Sequence, residues 1–90
     1  MFDNRTIRTV WNKWRIIPGY NPSLIRQDQC GAWMKFVDYW NRNSQYGWEI
    51  DHIIPVSHWW VDSVYNLRPL QWENNLSKSN GRLVCKVRAR

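Results

Sequence analysis

The sequence predicts one small α+β domain, and three observations carry that prediction. Ninety residues leave no room for a second hydrophobic core. Near the start, apolar residues recur at spacings of three and four, the period of one helix face. Further on, aromatic and branched residues run between glycine and proline punctuation, the pattern of short strands.

In chain order, Asp3 is placed to cap a helix whose buried face is Ile7, Val10, Trp11 and Trp14. That helix is expected to stop before Pro18-Gly19, which with Tyr20-Asn21-Pro22 makes a rigid turn. Ser23 to Gln27 carries a weak helical signal, and Ala32 to Tyr39 reads as a strand or hairpin after Gly31. Asn41 to Gln45 is a polar loop, and Gly47 opens a strand through Trp48, Ile50 and Ile53. Pro55 ends it. A loop runs on to Tyr65, then a short strand through Leu67 and Leu70 whose Pro69 suits a sheet edge. Glu73 to Asn80 reads as a short helix with Gly81 as its cap, and Leu83, Val84 and Val87 suggest a closing strand. The division is therefore 1–46, then strand, loop, strand and helix over 47–81, then a tail over 82–90.

Bulk composition narrows the partners. Thirteen Lys and Arg against seven Asp and Glu leave a formal charge of +6, which favours a polyanionic partner. Eight Trp, four Tyr and two Phe supply the core, since each buried aromatic removes about 150–250 Å² from water. Trp11, Trp14, Trp33 and Trp48 are the expected core indoles. Two cysteines, Cys30 and Cys85, could form one bridge at most, are too few for a cysteine-only zinc site, and read as buried or idle thiols in a reducing compartment. No charged-then-apolar leader opens the chain and no apolar run reaches bilayer length, so the expectation is a cytoplasmic protein without membrane contact.

The chemistry concentrates in Asp51-His52, Asn66, Asn75 and Lys78. A phosphodiester resists hydrolysis because water is a weak nucleophile and the alkoxide a poor leaving group. One divalent cation helps with both, provided oxygen ligands hold it and leave positions open for substrate. Asp51 offers an anionic oxygen and Asn75 a neutral amide oxygen. An imidazole suits the removal of a proton from water near neutral pH, and His52 is the candidate. Neighbours on a strand point to opposite faces, so Asp51 and His52 share a site only if the strand is distorted there or flanks the scissile group. Asn66 is placed to hydrogen-bond the loop and aim the histidine. Lys78, one turn after Asn75, is placed to meet a phosphate oxygen, with Arg68 and Arg82 as further candidate DNA contacts.

Asp51-His52-Ile53-Ile54-Pro55, Asn66-Leu67 and Asn75-Leu76-Ser77-Lys78 resemble the HNH endonuclease motif, whose fold is the ββα-metal finger. The flanks Cys30 to Lys35 and Tyr46 to Glu49 also look like a small stand-alone bacterial or phage HNH group. The resemblance implies that Asp51 and Asn75 bind the metal, His52 is the general base and Asn66 supports the loop. Mg²⁺ is the ion expected, with Mn²⁺, Ni²⁺ and Zn²⁺ as alternatives. Many such proteins add a structural zinc on two Cys-x-x-Cys pairs; the matching positions here are Gln27, Cys30, Gln71 and Asn74, so no structural zinc is expected. The loop also carries Trp59-Trp60, then Val61, where the look-alikes have Gly-Gly.

These residues support three readings. The first is a metal-dependent endonuclease acting on DNA. The second is an HNH-like scaffold for protein interaction or self-assembly through Trp59, Trp60 and Val61, natural or engineered, with its nuclease site unused or blocked. The third is a nucleic-acid binder without chemistry. His58 reads as a surface loop residue, and Glu49 as a solvated strand residue facing away from the site.

Overall fold

The computed structural model describes residues 2–54, 63–78 and 81–89. Helix α1 spans Asn4–Trp11, and Asp3 caps it by accepting Thr6 N–H at 2.8 Å. It buries Ile7, Val10 and Trp11, as the helical period requires. It ends earlier than expected, because Arg26 takes over the carbonyls beyond it. The guanidinium of Arg26 donates to Asn12 O at 3.2 Å and to Trp14 O at 2.7 Å, turning the chain into β1 (Arg15–Ile16).

β1 pairs antiparallel with β2 (Ile25–Gln27), which pairs antiparallel with β3 (Trp33–Lys35). Residues 25–27 are thus a strand where a helical turn was weakly signalled. Beyond β3 the segment expected to stay extended closes into a 3-10 turn, Phe36–Asp38. Trp40 then takes a positive φ of 63° and its N–H reaches Trp48 O at 2.8 Å.

The second sheet is the frame of the site. β4 (Trp48–His52) pairs antiparallel with β5 (Leu67–Gln71) in an unbroken register from Trp48↔Gln71 to His52↔Leu67. With only two strands both are edges, so Pro69 costs no ladder partner on the outer side. Gly47 precedes β4 because a Cβ there would meet Asn41 O at 1.8 Å. Helix α2 (Trp72–Leu76) continues directly from β5, capped by the Gln71 side chain, which accepts from Glu73 N at 2.8 Å. Its helical residues stop at Leu76 with Ser77 as the cap; of the expected span to Asn80, residues 79–80 lie outside those described.

The inner face of β4 meets α1 in an aromatic core. Trp11 and Trp48 are both fully buried, with ring centroids 5.0 Å apart, and Phe36 and Tyr39 pack around them. Trp14 and Trp33 are only half-buried, and Trp33 packs edge-on against Tyr20 instead of entering the core.

The tail corrects the reading of the cysteines. Cys30 and Cys85 form a disulfide across 55 residues of chain, so they are not idle thiols and do not point to a reducing compartment. Residues 83–89 form no strand. They are tied down by side chains instead: Asn74 exchanges two hydrogen bonds with the Val87 backbone, at 2.7 and 2.8 Å. Gly31 allows this approach, because a Cβ there would sit 2.7 Å from Arg88 O. Beneath the tail, the buried Asp28 carboxylate accepts from Cys30 N, Ala32 N, Gln71 N and the Asn74 amide, all at 2.9–3.0 Å. The positions matching the zinc pattern are therefore occupied by a disulfide cysteine and three amides, of which Gln27 donates to Gly31 O, Gln71 to Gln45 O, and Asn74 to Asp28 and the tail. No described helix is long and apolar enough to cross a membrane.

Candidate active site

β4 presents alternate residues to opposite sides. Trp48, Ile50 and His52 take the core side, and Glu49 and Asp51 take the other. On that second side the two carboxylates meet α2 and its C-terminal extension in matching order. Asn75 Nδ2 donates to Glu49 Oε1 at 2.8 Å, and Lys78 Nζ donates to Asp51 Oδ1.

Asp51 is 5% exposed and faces two cations. Arg68 stands directly opposite it on β5 and donates Nε–H to Oδ2 at 2.7 Å. The same guanidinium reaches Gln29 Oε1 at 2.9 Å and is itself buried. Lys78 holds the other oxygen and also donates to His52 O at 3.1 Å. One carboxylate between two cations leaves this cluster with a surplus positive charge.

Glu49 is a residue that the sequence reading misplaced. It is buried rather than solvated, at 3% exposure, and receives both Arg42 Nε at 2.7 Å and Arg42 Nη2 at 3.0 Å. Burial pushes its carboxyl pKa up. The hydrogen bonds from Arg42 and Asn75, with the Arg42 charge, outweigh that and hold it below the ordinary value. The signal that finds it is simple: Glu49 lies two residues before Asp51, hence on the same strand face.

His52 closes β4, half-buried, with its ring 6.0 Å from that of Phe2. The distortion that would bring it beside Asp51 is absent, since the ladder stays regular through His52↔Leu67. Asp51 and His52 therefore flank the strand end from opposite sides. Asn66 clamps the two residues after His52. Its Oδ1 accepts Ile54 N–H at 2.8 Å, its Nδ2 donates to Ile54 O at 3.1 Å, and its own carbonyl accepts Ile53 N–H at 2.8 Å. Lys13, just past the end of α1, donates to the carbonyls of Val64 and Leu67 on either side of Asn66. Arg82 is exposed, just past Gly81. Pro55, His58, Trp59, Trp60 and Val61 lie outside the described residues.

For a divalent cation the donor chemistry fits: a carboxylate and an amide, both hard oxygen donors, on facing elements. Among the described residues no three acidic, histidine or cysteine side chains converge on a point. The charge balance adds a condition, because Lys78 already pairs with one oxygen of Asp51 and Arg68 with the other.

No curated protein and no solved structure matches the chain. Residues 40–82, just under half of it and including all of β4, β5 and α2, match the family model described as HNH endonuclease.

Proposed function

We propose that this protein, whose residues 40–82 match the family model described as HNH endonuclease, is a metal-dependent endonuclease that hydrolyses phosphodiester bonds in DNA. The observation that carries the proposal is Asp51, a buried carboxylate held between two cations, one residue before a histidine at the end of a strand.

Asp51 and Asn75 would hold one divalent ion, Mg²⁺ being the best match to two hard oxygen donors. When bound, the ion neutralises charge on the phosphate oxygen and on the departing alkoxide. His52 takes the proton from water as the water oxygen attacks phosphorus, and the P–O bond to the leaving alkoxide breaks. A phosphate lying across the end of β4 is reachable from both of its sides, which suits the opposed directions of Asp51 and His52. Asn66 sets the histidine's aim by fixing the backbone of the next two residues. Glu49, itself gripped by Arg42, holds the Asn75 amide. Lys78 and Arg82 serve the phosphate backbone, whereas Arg68, buried against Asp51, has a positioning task instead.

A plasmid-nicking assay tests the reading. Nicking with Mg²⁺ and none with EDTA is expected, and His52→Ala is expected to abolish nicking while keeping the fold and most of the DNA affinity. Nicking that survives EDTA removes the metal from the scheme. Undiminished cleavage by the alanine variant removes His52.

A further inference from the structure

Resting on that functional reading, we infer that Lys78 is a displaceable counter-cation whose release from Asp51 couples divalent-ion binding to DNA phosphate binding. Lys78 Nζ sits on Asp51 Oδ1, the oxygen that Arg68 leaves to it. A divalent ion entering with both basic side chains in place would set it beside two positive charges and a single carboxylate. In a site only 5% exposed, water screens that repulsion poorly. One cation must leave.

The two differ in how firmly they are held. Arg68 projects from a strand, its planar fork fixed by Asp51 on one side and Gln29 on the other, and its side chain is 7% exposed. Lys78 lies beyond the cap of α2 on a flexible stem, more exposed at 16%, with Asp51 and the His52 carbonyl as its hydrogen-bond partners. Lysine yields and arginine stays. The freed ammonium then has a phosphate oxygen as its natural partner.

The coupling is reciprocal by thermodynamic necessity. DNA that draws Lys78 away raises the affinity of Asp51 for the ion, and the ion raises the affinity for DNA by the same factor. The Asp51 carboxylate thus stays paired without substrate, and the site loads its ion when substrate arrives.

The test is Mn²⁺ titration of the full chain at constant ionic strength, read by calorimetry or by electron paramagnetic resonance. Without DNA, Lys78→Met and Lys78→Gln are expected to bind Mn²⁺ at least about fivefold tighter than the parent, within the usual range of couplings, and Lys78→Arg to stay weak. A merely structural role would lower affinity on substitution, not raise it. In a His52→Ala background, where DNA stays intact, a duplex is expected to tighten Mn²⁺ binding, and Lys78→Met to remove most of that gain. Equal or weaker binding by Lys78→Met and Lys78→Gln overturns the inference, as does a duplex effect undiminished without Lys78. Asp51→Asn separates the two levels: if it leaves Mn²⁺ binding unchanged in the parent, the metal site itself is wrongly assigned and the functional reading fails first.

Discussion

Asn66 and Glu49 show how much of this site rests on single side chains. Asn66 satisfies both backbone groups of Ile54, so Asn66→Ala strands a donor and an acceptor in a part-buried turn. The expected loss is about 1–3 kcal/mol of stability, read by denaturant melts, with cleavage falling further because the histidine loses its support. Glu49 carries a pH signature. Its folded carboxyl is held below the ordinary value of 4.5, so its stabilising contribution is complete above that value and is lost as pH falls through the lower, folded one. Melting temperature is expected to drop on that acid limb, and Glu49→Gln to flatten it. The residue types of the site were legible one by one, but their pairings were not. Glu49 looked solvated because its partners, Arg42 and Asn75, come from a loop before β4 and a helix after β5.

At the scale of elements, the tail and the second sheet depend on crosslinks that no local pattern announces. The Cys30–Cys85 bridge closes a loop of 55 residues around the site, and a closed loop of that size restricts the unfolded chain. Reduction under native conditions is expected to cost about 2–4 kcal/mol, measured by urea melts with and without a reductant. Reduction is also expected to leave α2 in place, since Asp28 and Asn74 still join it to β2 and the tail. An equal melting point in both conditions would show that this hydrogen-bonded hub suffices alone. The order of β4, β5 and α2 was readable from Gly47, from Leu67 and Leu70 about Pro69, and from the helical signal that starts at Glu73. The early stop of α1 was not, because Arg26, fourteen residues beyond Asn12, determines it.

For the whole molecule, charge and burial divide the arginines into two groups. The net charge of +6 predicts DNA affinity that falls steeply with salt. Arg82 is exposed, and Arg82→Ala is expected to reduce the slope of log affinity against log salt by about one. Arg68 is buried on Asp51, and Arg68→Ala is expected to leave that slope unchanged while lowering stability, since it strands half of a buried ion pair. A matching slope change for both would return Arg68 to the DNA-contacting surface.

The sequence by itself determined the α+β class, the start of α1 at Asp3 and the aromatic supply of the core, and it singled out the candidate residues of the site. These depend on period, capping and composition, which act over a few residues. Only the tertiary structure decided that Arg68 guards Asp51, that Glu49 is buried beneath Asn75, that the cysteines are joined, and that Asp51 and His52 leave β4 on opposite sides. The partners of those contacts lie 17, 26 and 55 residues apart, and the register of β4 on β5 is itself a long-range pairing. Such choices depend on which closed arrangement leaves no buried side-chain donor or acceptor unpaired among the described residues, and that is settled only when the chain has folded.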